Sequence, residues 1–510
     1  MKKKYLLFLV LILLLAFILG ARMILSGDFF YLFDQARDYL LVKNIIEADK
    51  LILIGTHSGL GGFFHGPLWL YILTPIFLIG QGNPMSFAYF YIFLQIVTVI
   101  AAYFVGRKLY DTRGGLLLSL LLALSPATWA STPNTIGVHV LPLVFLGLFY
   151  FLIKFIRGDQ NAFIFAVFFA GLSLQFEAAL PLVLIPAMAV VFLLNKTAIK
   201  NVRVIVLSAF SFLLSIATFI LFDLRHQFLM SKAVLGAFTQ GRREKGYLEW
   251  SERFYEHFDS LLGTYKSILF KDDSLMKLLF VAIFIFGAFK IFKNKKNKYR
   301  KEFVFMLLFP VLIFGIFMFY PYKIWPEYVL GLAVPVAVVF YLCLTAIWKS
   351  AFGKIITILF FTVTTFHVFT HVNSQYFGNY QQNTSAGSYK NQREVVEWIY
   401  KDKGEGDLGY FVYTPETYTH GMDYLFSYLG KNNPKTHAVN TKQQTTYLIL
   451  YPHLADDKKA HEFWKKNVVR TNGKVLSKKV FKGNIIVEKL SIDAKEQAAD
   501  PNYYQGLIFR

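Results

Sequence analysis

The stretch Gly66–Gly80, GPLWLYILTPIFLIG, decides how this 510-residue chain is threaded. It is apolar throughout, but it is only about fifteen residues long and carries Pro67 and Pro75. A helix needs about 20 apolar residues to cross a 30 Å hydrocarbon core, so length alone reads the stretch as a re-entrant or interfacial helix. Longer or nearly sufficient apolar stretches run at about 5–25, 85–105, 115–130, 138–153, 162–176, 178–194, 203–222, 276–292, 303–320, 326–347 and 354–371. Parity supplies a second test, because counting 66–80 as a span would reverse every later connection. If it does not span, one side of the membrane receives Lys2–Lys4, Arg107, Lys108, Arg113, Lys154, Arg157, Lys196, Lys200, Arg203, the basic run from Lys290 to Lys301, Lys349 and Lys354. The short turns on the other side then hold only Lys323. The positive-inside rule therefore selects about eleven spans, with the amino terminus cytoplasmic and the carboxyl terminus outside.

Composition agrees with a polytopic membrane protein. Hydrophobic residues make up 55% of the chain and charged residues 17%, against about 25% charged in soluble domains. An ordinary soluble enzyme is thereby excluded. The net charge of +21 lies mostly in the cytoplasmic connectors, so it is an orientation signal and gives no argument for nucleic acid. The apolar run after Lys4 is longer than a signal-peptide core of about 7–15 residues and no A-x-A pattern follows it, which reads as an uncleaved anchor. Cys343 is the one cysteine, so an intrachain disulfide framework and CxxC-type metal sites are excluded.

Three segments lie outside the membrane on this reading: about 26–84, about 223–275, and everything beyond 372. The expected fold is an α-helical membrane domain, 1–372, followed by a small α/β extracytoplasmic domain, 373–510. The tail reads as helix (392–400), strand (408–413), helix (420–429), strand (447–451), helix (456–466) and two strands (474–481, 484–490).

Chemistry is sought in the outer segments. From Phe33 onward, FDQARDYLLVKNIIEADK is helical by pattern, with Leu40, Leu41, Ile45 and Ile46 at amphipathic spacing. Asp34 and Asp38 are four apart on one face, with Arg37 three after Asp34. A carboxylate desolvated at the lipid–water boundary can serve as general base for an incoming hydroxyl or amine. The plain alternative is a surface helix whose Asp34 caps its first turn and pairs with Arg37. His57 and His65 flank a glycine-rich loop; two histidines eight apart are weak evidence for zinc, and no metal set is assigned, although a divalent metal is left open. Asp223-Leu224-Arg225-His226 directly follows a span, and its Arg225 and His226 suit a lipid-linked phosphate or, equally, a headgroup anchor. Glu177 with Gln175, and Lys323 with Glu327 and Tyr328, sit at outer span ends, where acidic groups at membrane depth mark candidate sites. Asn134, in an outer turn, is a further cavity candidate beside its plain reading as a turn former.

Taken in order and on one side, these residues resemble the family 39-type glycosyltransferases of the GT-C fold, which include protein O-mannosyltransferases and lipid A aminoarabinose transferases. The likeness is carried by the FDQARD opening, the HGPLWLYILTP piece, Gln175–Glu177, Asp223–Phe228, Tyr320–Tyr328 and the soluble tail. The resemblance implies inverting transfer of a sugar from a polyprenyl-phosphate donor to a lipid, glycan or protein acceptor at the outer face of the plasma membrane. It implies Asp34 as the base, supported by Asp38 and Arg37. Arg225, His226 and Lys323 would hold the donor phosphate, and His65, Glu177, Asn134 and Tyr328 would line the sugar or acceptor cavity. Two departures stand out: Gln35 replaces the second acid of the Asp-Glu pair in well-known branches, and Glu177 stands where many bacterial relatives carry histidine.

Two other classes compete. A lipid or sugar transporter or flippase should carry ionisable groups near the midplane and two repeated halves, whereas the mid-span positions here are almost bare of charge. A non-enzymatic envelope-assembly protein leaves the acids and bases at the outer span ends without a purpose.

Overall fold

The computed structural model describes residues 2–58, 62–129, 136–194, 199, 201–239, 247–268, 274–371, 385–453 and 459–497. All eleven stretches expected to span fall on helices. They are α1 (Lys3–Ile24), α4 (Pro84–Leu109), α5 (Thr112–Leu124), α7 (Leu141–Ile156), α8 (Ala162–Ser173), α9 (Ala179–Leu194), α10 with α11 (Val202–Ser215 and Ala217–Arg225), α14 (Ser274–Lys293), α15 (Arg300–Phe317), α16 (Ala333–Ile347) and α17 (Ala351–His371). Between them lie α2 (Phe33–Ala48), α3 (Leu68–Ile79), α6 (Pro126–Trp129), α12 (Leu229–Thr239) and α13 (Trp250–Ile268). Among the described residues, six helical segments are long and apolar enough to cross a membrane unaided, and α10 with α11 makes a seventh as a pair bent by 65°. The clear candidates thus number six to seven rather than eleven. The shortfall has local causes. Pro126 biases Ser125 to extended backbone and ends α5 after thirteen residues, and α15 opens with Arg300, Lys301 and Glu302.

The helices start where the sequence supplies caps. Asn83 accepts from the amide of Met85 (3.0 Å) ahead of Pro84 at the first turn of α4, and Asp111 accepts from Gly114 (2.7 Å) at the start of α5. The α4–α5 hairpin closes tightly: a Cβ on Gly106 would lie 2.7 Å from the Gly114 carbonyl oxygen, so only small residues admit this approach.

Helix α3 is the Gly66–Gly80 stretch, and at twelve residues it is about 18 Å long. It starts beside α2, where the Trp69 indole donates to Asp38 (2.9 Å), and the turn that follows it carries Gly82, whose carbonyl accepts from Tyr424 of the tail (2.5 Å). Tyr39 of α2 packs on Tyr424 as well, so both ends of α3 return to the end of the bundle that carries the tail. At the opposite end, Arg157 pairs with buried Glu302 through Nε (2.8 Å) and Nη2 (3.0 Å) and donates to the Leu109 carbonyl (2.7 Å). One guanidinium therefore ties together three connectors on that side, with the Glu302 end of the pair buried and the Arg157 end open to solvent.

The tail is a small α/β domain, as its pattern predicts. Strands β1 (Leu408–Tyr413), β2 (Ala438–Val439), β3 (Thr445–Leu450), β4 (Lys474–Val480) and β5 (Ile486–Ser491) form one sheet in the order β2-β1-β3-β5-β4. β1 runs parallel to β2 and β3, and β5 runs antiparallel to β3 and β4. The two-residue β2 is too short to leave a periodic signal. Helices Tyr389–Lys403 and His420–Gly430 connect this sheet to the membrane domain. Asp28, buried just after α1, accepts from Ser388 Oγ (2.8 Å) and from the amide of Lys390 (3.2 Å), at the capped start of the first of these helices. Phe29 stacks on Tyr389 at 4.9 Å, and Tyr39 stacks on Phe87 at 3.9 Å with rings 10° apart. Each such aromatic pair adds about 0.5–1.5 kcal/mol beyond the area it buries. Consequently α2 is clamped between α3, α4 and the tail, not laid on a lipid surface as its amphipathic spacing suggests.

Candidate active site

A cavity of about 440 Å³ opens at the tail-bearing end. Its walls come from the start of α2 (Asp34, Arg37, Asp38), the following loop (Thr56, His57, His65, Gly66), the start of α3 (Trp69, Leu70), residues 136–138, the turn between α8 and α9 (Gln175, Phe176, Glu177) and the turn before α16 (Trp325, Glu327, Tyr328).

The α2 end is built by Gln35 rather than by Asp34. Gln35 is fully buried, and its side-chain oxygen accepts from the amide of Leu32 (3.0 Å), the reciprocal arm of a capping box. This gives Gln35 a structural task and leaves Asp34, in the first turn, turned to the cavity. Arg37 sits between the two acids: Nη1 meets Asp34 at 2.5 Å, and Nε and Nη2 meet Asp38 Oδ1 at 3.2 and 3.0 Å. The Asp34 side chain is 36% exposed and that of Asp38 only 3%. The second oxygen of Asp38 takes the Trp69 indole N–H. Burial lifts the Asp38 carboxyl to about 6, with Arg37 pulling the other way. The two acids four residues apart thus differ in kind. Asp38 is enclosed and engaged on both oxygens, while Asp34 meets the chamber with positive helix-end potential behind it.

Across the cavity, segments 52–58 and 62–66 pair antiparallel. Gly55 donates to the His65 carbonyl and the His65 amide to that of Thr56, each at 2.8 Å, and the Tyr71 hydroxyl bonds to both the amide and the carbonyl of Ile52. His65 is brought to the cavity wall with Nδ1 buried and unpartnered among the described residues, and burial lowers its pKa, which keeps the ring neutral. Gly66 is required by contact: a Cβ there would fall 1.9 Å from Gln175 Oε1 and 2.8 Å from Gln175 Cα. Gln175 in turn donates to the Ser215 carbonyl (2.9 Å) and to Thr218 (3.2 Å), on either side of the α10–α11 bend. It therefore satisfies a carbonyl at the break while packing on the site loop. Glu177 is buried and accepts from the amides of Ala178 (2.8 Å) and Ala179 (3.0 Å) at the start of α9, where the helix end stabilises its charge.

A second, mostly apolar cavity of about 570 Å³ lies between α9 and α15 and shares Glu177 and Tyr328 with the first. The polar chamber thereby meets a greasy one.

The structure brings Asp34, Arg37, Asp38, His65, Glu177 and Tyr328 together around one cavity. It places three other candidates elsewhere. Arg225 is exposed, His226 stacks on Phe222 with Nδ1 on the Phe222 carbonyl (2.8 Å), and Lys323 is exposed over the Trp325 ring; none of them lines the polar chamber. The neighbouring Asp223 accepts from the amides of Met230 and Ser231 and so organises the turn into α12. Asn134 lies outside the described residues. Among the described residues no group of three His, Cys, Asp or Glu could hold a metal ion. Sequence reasoning passed over Trp69, which could have been noticed as the polar-tipped aromatic in HGPLW, and Thr56 and Phe176, which give no pattern of their own.

Residues 64–222 match the family model described as dolichyl-phosphate-mannose-protein mannosyltransferase. No curated protein matches the chain by sequence. Among solved structures, ArnT from Cupriavidus metallidurans bound to undecaprenyl phosphate matches with a TM-score of 0.61 over 96% of this chain and 98% of that one, at 10% identity. The apo form of that ArnT matches with a TM-score of 0.59 over 95% and 97%, also at 10% identity. The Archaeoglobus fulgidus oligosaccharyltransferase in the apo form matches with a TM-score of 0.51 over 83% of this chain and 64% of that one, at 13% identity. The chain thus shares its fold with the ArnT and oligosaccharyltransferase structures, and its residues 64–222 match the mannosyltransferase family model.

Proposed function

We propose that the protein is an inverting glycosyltransferase that moves a sugar from a polyprenyl-phosphate donor to an acceptor at the outer face of the plasma membrane. The observation that carries this reading is the junction of the two cavities at Glu177 and Tyr328. An amphipathic donor fits it: the isoprenoid occupies the apolar cavity while phosphate and sugar enter the chamber in front of Asp34. Orientation follows from charge, since the site and the tail lie at one end of the bundle and Arg107, Lys108, Lys154 and Arg157 near the other.

In the reaction, Asp34 takes the proton of the acceptor hydroxyl as the acceptor oxygen attacks the anomeric carbon. The bond from that carbon to the phosphate oxygen breaks with inversion, and polyprenyl phosphate leaves with the electron pair. Arg37 holds Asp34 in place and supplies positive charge to the chamber. Among the described residues that line the polar chamber, Arg37 is the cation that faces the leaving phosphate. His65 stays neutral and offers a hydrogen bond to sugar hydroxyls, as does Glu177. A strain lacking the gene should accumulate an unused polyprenyl-phosphate sugar, detectable by mass spectrometry of its lipids. Unchanged pools of every such lipid would contradict the assignment.

A further inference from the structure

The loop after β1, Thr414–Thr419, reaches back over the start of α2. Between them lies a chamber of about 180 Å³ that shares Leu32 and Phe33 with the polar cavity. We propose that this chamber holds the acceptor as a neutral, hydroxyl-rich sugar residue, gripped by Tyr418 and Glu416, with its reacting hydroxyl carried past Phe33 toward Asp34. The proposal rests on the glycosyltransferase reading and adds the acceptor class and its seat.

Four observations support it. First, the Tyr418 ring stacks on Phe33 at 4.8 Å and 24° and remains 45% exposed, so a flat aromatic face is held beside the site. Such faces, with a few convergent polar groups, are how proteins bind small polar ligands with apolar flanks. Second, most polar side chains here are already engaged: Thr414 Oγ1 donates to the Tyr418 carbonyl (2.9 Å), Thr419 Oγ1 to Asp423 (2.7 Å) and Gln392 Nε2 to the Tyr31 carbonyl (2.9 Å). The exposed Glu416 carboxylate has no bond among the described residues, and its two oxygens suit a pair of neighbouring hydroxyls.

Third, no lysine or arginine lines this chamber among the described residues. A phosphate-bearing acceptor would therefore meet the Glu416 carboxylate without a cation to offset it. Fourth, the small chamber and the apolar cavity join the polar one through different residues, Leu32 and Phe33 against Glu177 and Tyr328. The donor enters from the Glu177 and Tyr328 side, and inversion requires the nucleophile to approach the opposite face of the anomeric carbon. The shared Leu32–Phe33 wall immediately precedes Asp34.

Full-length protein in detergent would be tested by saturation-transfer NMR with the methyl glycosides of mannose, galactose and glucose, with glucose 1-phosphate and with a Ser/Thr-rich peptide. Undecaprenyl phosphate binding is measured alongside. The proposal expects at least one neutral glycoside to bind wild type, to weaken at least tenfold in Tyr418→Ala and in Glu416→Gln, and to leave undecaprenyl phosphate binding unchanged in both. It is overturned if no neutral glycoside binds, if both variants bind as wild type does, or if glucose 1-phosphate or a Ser/Thr-rich peptide binds in preference and depends on Tyr418. Failure of wild type to bind undecaprenyl phosphate would strike the donor reading instead, and the glycoside results would still decide the chamber.

Discussion

Asp38→Asn probes the α2 cluster without any knowledge of substrate. Burial raises the Asp38 carboxyl from 3.8 to about 6, in spite of the lowering effects of Arg37 and the Trp69 N–H. The folded state therefore binds a proton that the unfolded state releases across this range. Its contribution to stability is greatest below pH 3.8, falls as pH rises through about 6, and is constant above. The gap corresponds to about 3 kcal/mol. Asparagine keeps the volume and can still accept the indole hydrogen bond, but it does not titrate. The stability of wild type minus that of Asp38→Asn should thus fall by about 2.4 kcal/mol between pH 4 and pH 7 and then level off. At pH 4 the folded carboxyl is near neutral while the unfolded one is already partly ionised, so the offset there combines the exchange of acid for amide with about 0.5 kcal/mol of the total fall. Unfolding of both proteins in detergent, followed by tryptophan fluorescence from pH 4 to 8, gives the difference directly. A difference independent of pH, or one that rises with pH, would refute the reasoning, the latter by showing that Arg37 outweighs burial.

Gly66→Ala should cost about 2–4 kcal/mol, from overpacking against Gln175 and loss of its bonds at the α10–α11 bend; thermal unfolding indistinguishable from wild type would contradict this. Adding Gln175→Ala should recover part of the loss, because Oε1 goes while the 2.8 Å contact to Cα stays; strictly additive effects would show that the two residues do not couple. Tyr424→Phe removes one hydrogen bond between the tail and Gly82, worth about 1 kcal/mol. Limited proteolysis in the tail should then quicken by roughly fivefold, and an unchanged rate would mean that the aromatic packing alone sets docking.

Hydrophobic length made the helical stretches and the shortness of α3 legible, because both depend on local composition. The count of full spans was less so: Ser125-Pro126 and the bend at Ile216 break helices through backbone effects that mean hydropathy averages away. The tail's order was legible from alternation and turns, apart from β2. Asp34, Arg37 and Asp38 could be grouped because a helix fixes their spacing, and His65, Glu177 and Tyr328 because span-end polarity is conspicuous. Their different environments were not readable. That Asp38 is enclosed depends on Trp69, thirty-one residues away, and that Gln35 caps α2 depends on backbone geometry at Leu32. The Asp28–Ser388 lock joins residues 360 apart, which no pattern in one sequence exposes. Arg225 and His226 looked suited to phosphate by type and position, yet type does not say which way a short helix end turns, and the bend before α11 decides that.

The role of Asp34 is tested most directly by Asp34→Asn in the purified protein, with undecaprenyl phosphate binding and sugar transfer measured side by side on the donor that accumulates in the deletion strain. The amide keeps the shape and can still accept from Arg37, so binding should stay within about twofold of wild type, while transfer should fall by at least a hundredfold, within the range a positioned general base contributes. Transfer at the wild-type rate by Asp34→Asn would contradict the account.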